Sequence, residues 1–338
     1  MKTVEIYDTT LRDGAQSEDI SLSLDDKVAV VTKLDQLGVH YVEAGWPGAN
    51  PKDERLFGKL AHIKLHTSRI MAFGSTCRPY KSPENDRLIR SLVNARPHGV
   101  TIFGKAWDIH VSGEGGIGCT LEENLRMIRD TIAYLKGFFP MIIFDAEHFF
   151  DGFTANRDYA MAALRAAAEG GADRLVLCDT NGGTLPREIA RIIRAVRKAV
   201  QVPLGIHCHN DGDLAVANTV CAVEAGVDHV HGTLNGVGER CGNTNLCSII
   251  PTLTLKMGYL TIPKENIRML SDVSRFFDDI SNLSHNKHQP YVGEAAFAHK
   301  GGVHVHAVLG NPSTYEHIDP SLVGNQRKVL VSEHSGKS

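Results

Sequence analysis

What this sequence lacks narrows it first. It has no Cys-x-x-Cys pair, although Cys77, Cys119, Cys178, Cys208, Cys221, Cys241 and Cys247 are scattered along it. An odd, scattered set offers neither a disulfide framework nor a zinc-thiolate cluster, which points to reduced thiols and a cytoplasmic protein. No block of basic residues interrupts a chain of net charge −3. Nothing in it addresses nucleic acid or an anionic membrane surface. No apolar run approaches the roughly 20 residues of a spanning helix. Met1 runs almost directly into the strand-like Val4-Glu5-Ile6-Tyr7, so no signal peptide is expected. No Gly-x-Gly-x-x-Gly follows that first strand, which argues against a dinucleotide fold.

What is present is ordinary globular material: 338 residues, 42% hydrophobic and 22% charged, enough to bury a large core. Short apolar runs alternate with longer helical patterns. Strands are predicted at 4–8, 40–45, 69–73, 99–103, 140–144, 173–178, 203–207 and 228–232. Helices are predicted at 25–37, 51–60, 83–94, 121–136, 156–169, 186–199, 213–225 and 244–257. This alternation implies a parallel sheet. Eight such units in about 255 residues favour an α/β TIM (β/α)8 barrel over an open doubly wound sheet. After residue 258 the alternation stops, and 264–283 reads as one helix or two. Residues 1–258 are therefore read as a catalytic barrel. Residues 259–338 are read as a C-terminal helical and loop extension that packs on the barrel mouth or on a partner chain.

A barrel of this kind carries its site at the C-terminal ends of its strands. Those ends hold Asp8-Thr9-Thr10-Leu11-Arg12-Asp13-Gly14, Glu43-Ala44-Gly45, Asp145-Ala146-Glu147-His148, Asp179-Thr180-Asn181-Gly182, His207-Cys208-His209-Asn210 and Asn235-Gly236-Val237-Gly238-Glu239-Arg240-Cys241-Gly242-Asn243. Side chains alternate along a strand, so His207 and His209 face one way and Cys208 the other. Two imidazoles on one face can hold a metal ion. Singly, each group has a plainer role. Asp8 and Asp179 can brace loops, Glu43 can be a satisfied carboxylate, and Arg12–Asp13 can be a surface ion pair of little worth. Six strand ends aiming polar groups into one mouth are hard to explain as packing.

The stretches Asp8–Gly14, His207-x-His209-Asn210, Gly238-Glu239-Arg240-x-Gly242-Asn243 and Ala298-His299-x-x-Gly302-x-His304 resemble the signatures of the acyl-CoA-condensing metallo-barrels. These are the 2-isopropylmalate, homocitrate and citramalate synthases, with hydroxymethylglutaryl-CoA lyase more distant. Glu43-Ala44-Gly45-Trp46-Pro47-Gly48-Ala49-Asn50-Pro51-Lys52-Asp53 and Ala146–Gly152 are similar to the citramalate synthase branch. The resemblance implies a divalent metal (Mn, Mg, Co or Zn) held by Asp13, His207, His209 and Asn243. It implies Arg12 as stabiliser of a developing alkoxide, Thr180 on the substrate carboxylate, and Glu147 with His299 as the base. Tyr315 matches a tyrosine of the site. The implied activity is an acyltransferase that condenses acetyl-CoA, as co-substrate, with pyruvate. The products would be (R)-citramalate and CoA, in isoleucine biosynthesis. Alternatives are a longer 2-oxo acid acceptor, as in 2-isopropylmalate or homocitrate synthases, or the lyase direction. Phe73, Phe103 and Asp145, near strand ends, are candidates to line the acceptor pocket.

The family also implies a homodimer, in which the extension of one protomer reaches the site of its neighbour. The last residues, Ser332-Glu333-His334-Ser335-Gly336-Lys337-Ser338, read as the start of a connection. A regulatory domain is expected beyond them. Isoleucine and leucine are therefore expected not to inhibit these 338 residues.

Overall fold

Parallel neighbours cannot be joined by a tight turn, so each strand must be followed by a crossover that returns the chain to the same end of the sheet. The computed structural model describes residues 2–330. In it β1 (Glu5–Asp8), β2 (Tyr41–Glu43), β3 (Arg69–Ser75), β4 (Gly99–Lys105), β5 (Met141–Glu147), β6 (Arg174–Asp179), β7 (Leu204–Cys208) and β8 (His229–Gly232) pair in sequence order as a closed barrel. β8 closes on β1 in parallel, with Glu5 opposite His229 and Asp8 opposite Gly232. Each predicted strand overlaps an observed one. β5 runs beyond its predicted end, to Glu147, which keeps Asp145 and Glu147 in strand register. Phe103 lies opposite Asp145, and Lys105 opposite Glu147.

The outer layer consists of α1 (Leu24–Leu37), α2 (Pro51–Leu60), α3 (Arg87–Ala95), α4 (Ile109–Ser112), α5 (Leu121–Leu135), α6 (Phe149–Ala155), α7 (Arg157–Glu169), α8 (Pro186–Arg197), α9 (Ala215–Glu224) and α10 (Leu246–Pro251). Local chemistry sets several of their ends. Ser23 and Asp26 form a capping box at the start of α1, and Gly38 ends it in the left-handed conformation. Asn50 caps α2 and is followed by Pro51 at its first position. The helix predicted from residue 83 starts later. Pro83–Asn85 make a 3-10 turn, and Asp86 stays extended to accept from the Leu88 amide. The helix predicted over 244–257 divides at Pro251. A wider π-helical turn, Thr252–Lys256, follows it, because proline has no amide to continue the α-helical ladder.

The main core fills the space between sheet and helices. A smaller cluster of Tyr7, Tyr41, Met71, Ile143, Val176 and Cys178 fills the barrel axis below the mouth. Among the described residues no helix is long and apolar enough to cross a membrane.

In the extension, a 3-10 segment at Lys264–Met269 leads into α11 (Leu270–Ile280). Then come β9 (Ala298–His299), α12 (Gly302–Gly310) and β10 (Lys328–Val329), with β10 parallel to β9. The extension is tied to the barrel flank. Asn266 donates to the carbonyls of Gln36 and Leu37 at 3.1 Å, and Lys33 meets Asp272 at 2.5 Å. The Ser332–Ser338 stretch lies outside the described residues.

Asp8 braces the top of β1. It accepts from the Thr10 amide at 2.9 Å and the Thr10 hydroxyl at 2.7 Å, and Thr10 in turn accepts from Leu234 N at 2.9 Å. Burial pushes its carboxyl up to about 7. The unfolded chain gives up that proton near pH ~4. Between about pH 4 and 7 the folded state therefore binds more protons, and stability falls as pH rises. Asp8→Asn, which cannot ionise, should shrink the difference in melting temperature between pH 5 and pH 8. An unchanged difference in thermal melts would show that Asp8 does not titrate in this window.

Candidate active site

β7 ends the barrel interior with two imidazoles. His207 and His209 are two residues apart and project to one side, while Cys208 joins the outer core. Their Nε2 atoms lie 3.3 Å apart. Asp13 Oδ2, from the turn after β1, is 3.4 Å from His207 Nε2 and 3.8 Å from His209 Nε2. All three side chains are buried. Asn243 reaches the same place from the loop after β8. Its backbone bridges that of His209, its Nδ2 donates to Asp13 Oδ1 at 3.1 Å, and its Oδ1 is buried without a protein partner.

These residues fit a metal ion. The imidazole nitrogens of His207 and His209 and the Asp13 carboxylate converge on one point, and the orphaned amide oxygen belongs to Asn243, which is hydrogen-bonded to that carboxylate. Two nitrogens with two oxygens suit a borderline divalent cation. Burial, and then His207, push the His209 imidazole down to about 4, so it is in the neutral form that ligates. Burial works against ionising Asp13. Arg12 and the His207 hydrogen bond outweigh it and hold the carboxyl well below the usual range.

Arg12 is not the surface ion pair its neighbour in sequence allows. Its side chain is 13% exposed. Nε donates to Glu43 Oε2 at 2.5 Å and Nη1 to Asp13 Oδ2 at 3.1 Å. The guanidinium sits 3.8 Å from the centre of the Phe73 ring. Glu43 also accepts from the Tyr7 hydroxyl at 2.9 Å, and that hydroxyl meets Thr101 Oγ1 at 2.6 Å. Both charges of the Arg12–Glu43 pair are thus hydrogen-bonded, the condition under which a buried pair is tolerated.

Above the ligands is a cavity of about 200 Å³ lined by Arg12, Asp13, Asp145, Glu147, Thr180 and the two histidines, with Trp46, Phe73 and Phe103 as its apolar wall. Phe73 and Phe103 stack at 5.3 Å, and Trp46 meets them edge-on at 5.7 and 5.6 Å. Thr180 Oγ1 accepts from His148 N at 2.9 Å, which leaves its own hydrogen to donate to a ligand. Asp145 is 4% exposed and its Oδ1 has no partner. Burial pushes this carboxyl up to about 7. A second cleft, of about 610 Å³, adjoins Asn243, where Gln289 and Tyr291 of the extension line it together with Asn210.

Two of the sequence-derived residues are not brought to this mouth. Within one chain the expected His299–Glu147 pair does not form. Glu147 pairs with Lys105, its cross-strand neighbour. His299, in β9, is buried with Nε2 3.2 Å from Glu316 Oε1, and Arg327 holds Glu316 with two bonds of 2.6 Å. Tyr315 is 45% exposed and stacks on His304 at 4.1 Å. The reason is connectivity: the extension climbs the barrel flank from the end of α1 to the loop after β8, where Asp278 and Gln289 meet Asn235, and then forms its own two-stranded sheet, which holds His299. Sequence reasoning also passed over Lys105 and Trp46. Lys105 sits two residues beyond Phe103 on the same strand, so the period-two rule would have found it. Trp46 lies in the quoted 43–53 stretch without having been given a role.

The comparisons with known proteins agree with this geometry. Residues 3–276 match the family described as HMGL-like, and residues 291–338 match the homocitrate synthase post-HMGL domain-like family. The chain is 54% identical to the (R)-citramalate synthase of Geobacter sulfurreducens over all of its own length and 64% of that protein's. It is 35% identical to the homocitrate synthase AksA of Methanopyrus kandleri over 99% of itself and 80% of that protein. The chain thus spans under two thirds of the length of the citramalate synthases it matches. In three dimensions it resembles the HMG-CoA lyase of Brucella melitensis, with a TM-score of 0.68 at 20% identity, covering 83% of this chain and 100% of that one. With buried Asp13, His207 and His209 gathered at the mouth of a closed eight-stranded barrel, and a family match that runs from the first strand into α11, the chain belongs to the HMGL-like family.

Proposed function

We propose that this chain condenses acetyl-CoA with pyruvate, giving (R)-citramalate and free CoA. The observation that carries the reading is the small cavity that opens on Asp13, His207 and His209, walled by aromatic rings and bordered by Arg12 and Thr180. A cavity of about 200 Å³ is below the usual range for ligand pockets and suits a three-carbon acceptor. Its rim offers a hydroxyl donor and a guanidinium, the groups that bind a carboxylate and a polarised ketone. The 54% identity to a citramalate synthase supports the choice of acceptor.

A divalent ion held by Asp13, His207, His209 and Asn243 would supply Lewis-acid polarisation of the acceptor ketone. The chain supplies the rest. Thr180 Oγ1 donates to the acceptor carboxylate and so sets its orientation. Arg12, fixed by Glu43, presents its remaining N–H groups to the oxygen on which negative charge grows as the carbon–carbon bond forms. Glu147 provides a carboxylate where the acetyl methyl group must lose its proton. The aromatic wall of Trp46, Phe73 and Phe103 limits bulk water in the reacting space. Attack of water on the thioester carbonyl then expels CoA as a thiol.

The extension completes the site between two copies of the chain. It exposes Val303 at 76%, Leu309 at 69% and Tyr315 at 45% on one short stretch, an apolar surface of the kind that self-association covers. His299, oriented by Glu316 through Nε2, keeps Nδ1 free to work with Glu147 of the second copy.

An acceptor panel tests the reading. Purified protein with a divalent metal and acetyl-CoA should release thiol with pyruvate and at least tenfold less with 2-oxoisovalerate or 2-oxoglutarate. Light scattering should give the mass of a dimer. Cleavage of a hydroxyacyl-CoA without thiol release from acetyl-CoA would establish the lyase direction instead. A monomer at full activity would exclude the shared site.

A further inference from the structure

The stretch from Glu43 to Asp53 sets Trp46 of the aromatic wall beside two residues that the chemistry above does not use, Gly45 and Asp53. These three meet a fourth residue, Lys27 of α1. Lys27 Nζ donates to Asp53 Oδ1 at 2.7 Å and to the carbonyl of Leu11 at 3.2 Å. Asp53 Oδ2 accepts from the Trp46 amide at 3.0 Å. Both side chains of the ion pair are buried, at 6% and 9% exposed. Removing two charges from water is costly, and this pair is not at the mouth. It lies beside it, on a pocket of about 230 Å³ that Lys27 and Asp53 line together with Arg12, Trp46 and Phe73.

The pair joins the two loops that build the acceptor wall. Leu11 immediately precedes Arg12, and Asp53 holds the backbone of Trp46 itself. Gly45 has φ +147, and a Cβ there would run into the Asp53 carboxyl, so the glycine is what lets Asp53 approach this backbone. α2 delivers Asp53 from the first turn after its Asn50 cap. Trp46 in turn sits edge-on to both Phe73 and Phe103. Its indole Nε1 is buried and has no partner, an arrangement that packing alone does not favour.

We propose that Trp46 is the residue that limits acceptor size, and that the Lys27–Asp53 pair is the positioning device that holds it, with Arg12, against the acceptor cavity. The proposal rests on the reading of that cavity as a 2-oxo acid site. Trp46 closes the cavity with an apolar edge. A longer acceptor chain must displace it, whereas pyruvate does not reach it. Lys27 and Asp53 touch no substrate. They act through the Leu11 carbonyl and the Trp46 amide.

Three variants test this in the full chain, each checked by thermal melting. Trp46→Ala removes the wall. Its ratio of kcat/KM for pyruvate over 2-oxoisovalerate should fall about tenfold or more, the range set by one or two methylenes in an apolar pocket. Asp53→Asn keeps an oxygen for Lys27 and loses the acceptor for the Trp46 amide. Its ratio should move the same way although Trp46 is intact, with KM for pyruvate raised more than kcat is lowered. Glu54→Gln, one residue on and exposed, should leave the ratio unchanged. A readout independent of turnover uses Trp46 emission in a Trp107→Phe background, since the chain has two tryptophans. Asp53→Asn should shift that emission and increase its quenching by acrylamide, at an unchanged circular dichroism spectrum. If Trp46→Ala discriminates like the parent, Trp46 does not limit the acceptor. Unchanged emission and quenching in Asp53→Asn would overturn the positioning role. No thiol release by the parent with any 2-oxo acid would overturn the functional reading and the size-limiting half with it, while the emission arm would still decide the other half.

Discussion

His207→Ala should abolish turnover and cost the protein its divalent ion while leaving the barrel folded. His207 Nε2 faces both His209 and Asp13, so its loss removes one of two nitrogen donors and reduces the ligand set below what a divalent cation needs in competition with water. The strand itself should survive. Its neighbours Ile206 and Cys208 keep their places in the outer core, and a truncated histidine at the barrel mouth leaves space that opens to the cavity. Dialysis against a chelator followed by elemental analysis reads the result directly. The parent should retain about one metal per chain and the variant almost none, with matching circular dichroism spectra. Metal retained at full stoichiometry by the variant would remove His207 from the ligand set.

The second large effect is expected at Arg12. Two designs separate chemistry from folding. Arg12→Ala leaves Glu43 buried without its cation, and breaking a buried pair in this way costs about 3–5 kcal/mol, so a lower melting temperature is expected along with lost activity. Arg12→Lys keeps a charge near Glu43 but not the planar fork that serves Glu43, Asp13 and an incoming oxygen together. Its melting temperature should change less, while kcat for thiol release should fall about 10²–10³-fold, the scale of one lost oxyanion donor. KM for pyruvate should rise much less, because the missing bond strengthens mainly as charge develops. Near-normal kcat in Arg12→Lys would mean that Arg12 serves only to neutralise Glu43.

How far the sequence reveals this protein depends on the range of the interaction concerned. The eight strands and the main helices are legible because alternation, helical spacing and cap residues act within a few positions. Ser23 with Asp26, Asn50 before Pro51, and Gly38 each declare a helix end through a bond made nearby. The two imidazoles of β7 are legible for the same reason, since an i, i+2 pair on a strand must share a face. The helix predicted over 244–257 fails at Pro251 because one missing amide changes the ladder that follows it.

Residue type and strand-end position were enough to pick out His207 and His209 and the polar strand ends, while the roles of Arg12 and Asp13 came from the resemblance to the condensing metallo-barrels. None of this determined which charges neutralise which. Arg12 is adjacent to Asp13 in sequence, yet its strongest contact is with Glu43, 31 residues away. Glu147 is claimed by Lys105 because β4 and β5 stand in the register that sets them opposite each other. That register follows from closing eight strands into a barrel, which no single strand encodes. Asp53 looks like an ordinary acidic residue in the first turn of a helix. It becomes a buried brace only because α1 brings Lys27 to it and Gly45 lets the backbone of Trp46 come within reach. Local periodicity thus determined the elements and nominated the chemistry of their ends. The pairing of charges, the aromatic wall and the separation of His299 from Glu147 were decided by tertiary packing, because each depends on distances between segments that only the closed barrel sets.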